Sequence, residues 1–492
     1  MNMSSRNAWK FLLTVTLLST PLSGCGSSDP PKTAGSPSSE TEKLYVTLPD
    51  QGVVQSIHIE GTAASKGGQK TLQDHPLTPT FAVNATINMK SNTVPGAKPG
   101  EIVFSEGFAY VRLTDSNFVQ RFDLEGDGAG QNHPIELGVR PIHMFVDPDS
   151  KVWVGNDGPA PAPGQSCPGS DPACGPDTVS VINKGASVAH PPVTIGSGHH
   201  GFAFSRPSTL KPNLPKRAFI YNLHDDTISV IDNDPASPTY LQVISADPSL
   251  NGKASLKVGA NPHGIAFSPA SGKVYVPDAD PNATEVMWII DPETLGVQKM
   301  SKGSGPNQIP VVGGPVVRHI HDDPTDGQFI YLLGSLTDTN ANTTTGYLTV
   351  IDTFSDPHPV TVTTFPGINP SRIVFTPDGK KAYIGTRSGA APTPDLKNNL
   401  VVVLNTDPTS PQFNQKIGEI TVGRAASSRP GLLVSGDGRF VFIANAVPAS
   451  GGNPAETSLS VIDTTTDTVI NTIPLDGMPS GLGIVQVGAH GH

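Results

Sequence analysis

Imidazoles are the side chains in this sequence best suited to chemistry, and they recur in one local setting. His143, His199, His200, His263 and His319 each stand at the start of a short apolar run, with His321 two residues further on. Arg318, Arg372 and Arg429 hold comparable positions, and His224 lies in the polar stretch Asn222-Leu223-His224-Asp225-Asp226. Neutral imidazoles drawn together from separate segments can ligate a transition metal such as copper. Guanidiniums gathered in the same way take anions. His143, His200, His224, His263, His319 and His321 are therefore candidate metal ligands, and Arg318, Arg372 and Arg429 candidate ligand-binding cations. The same histidines also have a structural role open to them, packing at the start of a strand and bonding a neighbouring backbone.

Other chemistries leave fainter marks. Asp278-Ala279-Asp280-Pro281-Asn282-Ala283-Thr284-Glu285 places oxygen ligands at alternating positions, as a calcium loop does. Asp123-Leu124-Glu125-Gly126-Asp127-Gly128 resembles the start of one but lacks the distal glutamate. There is no G-x-S-x-G nucleophile elbow, no H-E-x-x-H and no G-x-x-x-x-G-K phosphate cradle. The formal net charge of −11 argues against nucleic acid, whose phosphates demand a basic stripe.

The elements that must position these residues are strands. Of 492 residues, 51 are Gly and 49 Pro, a composition that breaks helices and supplies turns. One pattern repeats. A first strand such as Gly264-Ile265-Ala266-Phe267-Ser268 leads into a turn, then a second such as Lys273-Val274-Tyr275-Val276, a polar loop, and a third such as Met287-Trp288-Ile289-Ile290-Asp291. The third strand returns as Thr227-Ile228-Ser229-Val230-Ile231-Asp232, Leu348-Thr349-Val350-Ile351-Asp352 and Leu459-Ser460-Val461-Ile462-Asp463. First strands begin near Ile102, His143, Gly201, Gly264, His319, Arg372, Gly431 and Gly481. Their spacing, about 40 to 60 residues, is the period of four-stranded propeller blades. The sequence predicts an all-β fold, a β-propeller of eight blades, with seven as the alternative. Residues 43–60 read as second and third strands lacking a first, and Gly481–Val487 as a first strand lacking successors. Their pairing would close the ring and remove its open edges. In a propeller the starts of first strands and the loops between second and third strands face one end of the ring, where the histidines and arginines would meet.

Pro262-His263-Gly264-Ile265-Ala266-Phe267-Ser268-Pro269 with Lys273-Val274-Tyr275-Val276, Asp226–Asp232 and Ser460–Ile470 resemble the YVTN-type propeller repeat over most of residues 43–487. That family contains exported bacterial and archaeal surface proteins. The resemblance implies the architecture and no particular reaction. Lactonase-type propellers share the Pro-His-Gly strand start, but this chain lacks their carboxylate signature.

Export is readable at the N-terminus. Arg6 and Lys10 precede the apolar run Phe11–Leu18, too short to span a hydrocarbon core of ~30 Å, and Leu22-Ser23-Gly24-Cys25 matches the bacterial lipobox. Cys25 is thus the expected lipidation site. Gly26 after it resembles outer-membrane sorting, on either the periplasmic side or the cell surface. The expected organisation is a signal peptide over 1–24, a Gly/Ser/Pro tether over 25–42 and a propeller over 43–488. Cys167 and Cys174 remain as a pair in a Pro/Gly-rich loop, where oxidation would contribute roughly 2–3 kcal/mol. Two functions fit. One is a lipid-anchored scaffold at the cell envelope that binds a protein, polymer or small molecule. The other is a metal-dependent or lactonase-like enzyme using the histidine-lined face.

Overall fold

The computed structural model describes residues 41–60, 79–125, 133–159, 177–198, 201–244, 255–259, 264–278, 283–305, 308–309, 316–322, 327–387, 399–424, 431–448 and 455–487, with the single residues 262, 280 and 397. Among them every long element is a strand, and the strands form eight sheets. Blade 1 runs from Lys98–Ser105 through Phe108–Thr114 and Phe118–Asp123 to His133–Glu136, each strand antiparallel to the next. Blades 2 to 7 repeat this order, starting with Pro141–Val146, Phe202–Ser205, Ala266–Ser268, Val316–Asp322, Pro370–Phe375 and Leu432–Val434. Blade 4 adds a short parallel strand, Gln308–Ile309, at its outer edge.

The eighth blade is composite. Leu482–Val487 from the C-terminal end pairs with Thr41–Leu48, placing Leu482 opposite Val46 and Ile484 opposite Leu44. Val53–Glu60 and Thr80–Asn88 complete the sheet. Its innermost strand touches the first strands of blades 1 and 7, so the ring is closed in the way the sequence predicts. Thr47 bolts the seam: its hydroxyl donates to Gly100 O at 2.6 Å and accepts the Gly481 N–H at 2.7 Å.

Packing explains the aromatic-aliphatic second strands. Tyr45, Tyr110, Trp153, Phe219, Tyr275, Tyr331, Tyr383 and Phe442 hold equivalent places on the second strands, and each is at most 1% exposed. Each joins a cluster shared with the next blade, Tyr110 with Met144 and Val154, for example, and Phe442 with Leu44 and Ile57. There are eight such clusters, one per blade interface, so the core is a ring of seams and no single centre. Emptying one such position is expected to cost about 3–5 kcal/mol.

The residue three places after this second-strand aromatic is structural too. Asn156 donates to Thr178 Oγ1 and Ser180 Oγ, Asn222 to Thr227 Oγ1 and Ser229 Oγ, and Asn445 to Ser458 Oγ and Ser460 Oγ. The buried amide thereby locks second strand to third. The preceding connection crosses so close that a Cβ on Gly138 would lie 2.6 Å from Asn156 Nδ2.

Candidate ligand site in the central channel

First strands surround the axis, and one register position recurs on them. His143, His319 and Arg372 each follow a bulge in the pairing with the second strand, opposite Gly155, Leu333 and Gly385. Glu101 falls at the matching bulge of blade 1. The polar residue at this position thus comes from blades 1, 2, 5 and 6. Gly201, Gly264, Gly431 and Gly481 precede the first strands of the other four blades.

One cavity of ≈ 580 Å³ gathers Glu101, Arg112, His143 and Arg372 with the apolar walls Val103, Phe145 and Leu482. Its lining comes from the composite blade, blades 1 and 2, and Arg372 of blade 6, so Arg372 meets the others across the ring. His143 Nδ1 lies 3.5 Å from Glu101 Oε2, and the Met144 N–H donates to the same oxygen at 2.8 Å. Burial raises the Glu101 carboxyl, but the hydrogen bond and charge of His143, the Met144 N–H and the Arg112 charge outweigh it and hold its pKa below the usual value. Arg112 is braced by bonds from Nη1 to Thr114 Oγ1 at 3.2 Å and Pro141 O at 3.4 Å. Burial lowers its pKa, against the opposing charges of Glu101 and Asp115.

Two of the expected residues, His143 and Arg372, are therefore brought together. His319 shares their register position, and Arg318 and His321 lie on the same strand, Val316–Asp322. His224 is exposed in the loop after Asn222, where its N–H donates to Ser197 O at 3.0 Å, and it does not line the cavity. His199, His200, His263, Arg429, Cys25, Cys167 and Cys174 lie outside the described residues. Sequence reasoning missed Glu101 and Arg112. Glu101 carries a usable signal, since Pro99-Gly100-Glu101-Ile102 matches Pro141-Ile142-His143-Met144 and Pro370-Ser371-Arg372-Ile373 in its Pro-x-polar-aliphatic pattern. Arg112 has no such mark, because only the cross-strand register brings it beside Glu101.

The two calcium-like loops are partly outside the described residues. Asp278 is 4% exposed and accepts the Asp280 N–H at 2.7 Å. It faces Pro262 as Asn156 faces Pro141, but Trp288 fills the place of Ser180, so blade 4 lacks the amide lock. Burial pushes the Asp278 carboxyl up to about 6; the Asp280 N–H and Lys302 oppose this, and the Asp280 and Asp226 charges add to it. In the other loop Glu125 N–H donates to Asp123 Oδ1 at 2.8 Å, and residues 126–132 are not described. Among the described residues no three His, Cys, Asp or Glu side chains are grouped to hold a metal ion.

No family model matches the chain, and no curated protein matches it. Solved structures do. Apo AztD from Citrobacter koseri aligns with 91% of this chain and 98% of its own at 12% identity and a TM-score of 0.53. A second AztD structure gives 13% identity and 0.54 over 92% of this chain and 100% of its own. Dihydro-heme d1 dehydrogenase NirN in complex with DHE gives 14% identity and 0.50 over 90% and 74%. At these identities the likeness is one of fold, and the chain is an eight-bladed β-propeller with a polar pocket on its axis.

Proposed function

We propose that this chain is a lipid-anchored propeller of the cell envelope, of the YVTN-repeat kind, whose axial pocket binds a small molecule. The observation that carries the reading is the convergence of Glu101 and Arg112 from blade 1, His143 from blade 2 and Arg372 from blade 6 into one ≈ 580 Å³ cavity that also has apolar side chains in its wall. Polar groups converging beside apolar side chains in one hollow are suited to holding and orienting a small ligand. Cys25 would carry the lipid, residues 25–42 the tether, and a Cys167–Cys174 disulfide would suit an oxidising compartment. The test is a thermal-shift screen of small molecules on residues 43–492, repeated on Arg372→Gln. Stabilisation that disappears in the variant supports the reading; stabilisation that persists in it contradicts it. Membrane fractionation tests the anchor: Cys25→Ala should release the protein or leave an uncleaved precursor, and unchanged fractionation without fatty-acid labelling contradicts it.

A second reading is a metal-dependent or lactonase-like enzyme. It is favoured by His143 and His319 sharing one register position around the axis. His200 and His263 would join them. Replacing His200 and His263 together by Ala should then abolish binding of a divalent transition metal with the fold intact. A parent that binds no such metal in calorimetry at micromolar concentration contradicts it.

A further inference from the structure

A second cavity, of ≈ 520 Å³, opens where blades 3, 4 and 5 meet, and it shares no residue with the axial pocket. Leu210 and Lys211 reach it from the connection between the first two strands of blade 3. Phe354 and Ser355 come from the connection between the third and fourth strands of blade 5, Thr343–Asp352 and Val360–Pro366. Blade 4 supplies Ser271 from its first turn and Gln298 from its fourth strand, Val297–Lys302. Successive strands run antiparallel, so these connections lie at the end of the ring opposite the starts of first strands. Phe354 is 65% and Leu210 54% exposed, and neither joins a core cluster. The backbone beside the Phe354 ring is fixed nonetheless: its N–H donates to Asp352 Oδ1 at 3.0 Å, and Thr353 Oγ1 donates to Gln328 O at 2.7 Å.

We propose that this cavity binds a neutral carbohydrate, with a ring face of the sugar on Phe354 and its hydroxyls bonded to Ser271, Gln298 and Ser355. A sugar ring carries apolar C–H groups on its face, which suit the negative face of an aromatic ring, and a rim of hydroxyls that each donate and accept. The polar wall matches that rim. Gln298 and Ser355 are exposed, and each offers a donor and an acceptor. Ser271 Oγ accepts from the Tyr275 hydroxyl at 3.2 Å and from the Lys273 N–H at 3.3 Å, so its own proton is left to donate. Burial pushes the Tyr275 hydroxyl up to about 12, and it keeps its proton at neutral pH. The charges offset one another: Lys273 is paired with Asp291, and Lys211 and Asp356 are one of each sign. A purely apolar ligand would strip water from Ser271, Gln298 and Ser355 and give them no partner in return.

The test is calorimetry of the full chain with three neutral sugars: maltohexaose, cellohexaose and mannohexaose. At least one should bind saturably at a single site. Phe354→Ala should weaken that sugar at least tenfold, and Gln298→Ala should weaken it severalfold. Both substitutions are at exposed positions, so both variants should melt like the parent. Binding of none of the three sugars overturns the proposal, as does binding that Phe354→Ala leaves intact. A sugar that Phe354→Ala leaves bound and Arg372→Gln releases belongs to the axial pocket; that result overturns this site and upholds the other.

Discussion

Replacing Asp278 by Asn should stabilise the protein at neutral pH and leave it unchanged in acid. Three blades carry a buried Asn three residues after the second-strand aromatic, whereas blade 4 carries there a carboxyl that is 4% exposed and close to Asp280 and Asp226. The carboxyl is raised from 3.8 to about 6. A shift of about two units is worth about 3 kcal/mol at 1.36 kcal/mol per unit. The sign follows from the direction. A group raised in the folded state contributes its full stability below its unfolded value and loses it as pH rises through about 6. At about pH 7.5 the native state therefore carries the whole penalty, and Asn removes it while still accepting the Asp280 N–H. For roughly 450 folded residues, with an unfolding entropy of about 2.1 cal/mol/K each, the gain is at most about 3 °C in Tm. Thermal or urea unfolding of parent and Asp278→Asn at about pH 7.5 and about pH 4 measures it. A variant less stable than the parent at neutral pH, or offset equally at both values, refutes the reasoning.

Ending the chain at Met478 removes the strand Leu482–Val487, exposes the edge of Thr41–Leu48 and opens the ring. Its melting point should fall by many degrees or soluble expression should fail; a parent-like melt contradicts the closure. Phe442→Ala empties the seam between blade 7 and the composite blade and should cost about 3–5 kcal/mol in urea unfolding. Glu101→Gln keeps an acceptor for Met144 but loses the attraction to His143 and Arg112. Because the Glu101 pKa is lowered, its contribution is present above the usual 4.5 and lost as pH falls through the folded value. The variant should therefore be less stable at neutral pH, with the difference closing in acid; a difference that persists in acid would mean a lost contact and not a lost charge.

The ring was legible in the sequence because each blade must bury the same seam. The second-strand aromatics and the Ile-Asp ends of third strands recur for that reason, and the orphan strands at residues 43–60 and 481–487 could only complete each other. The site was half legible. His143 and Arg372 were visible because the start of a first strand is fixed by the repeat, and both line the axial cavity. Glu101 went unnoticed through its residue type, although it obeys the same Pro-x-polar-aliphatic pattern. Arg112 sits on a second strand, and its approach to Glu101 depends on the bulge between Pro99 and Ile102, which local sequence does not display. His224 lies in a loop on the face the sequence indicated, yet it bonds the Ser197 backbone beside it and stays outside the cavity.

The central claim is that ligand binds on the axis through residues converging from several blades. It is tested most directly by titrating the strongest stabiliser from the thermal screen against the parent, Arg372→Gln and His224→Gln. Arg372 lines the cavity, and His224 is an exposed residue that does not. The account predicts at least a tenfold loss of affinity for Arg372→Gln and none for His224→Gln. Parent-like affinity in Arg372→Gln would contradict it.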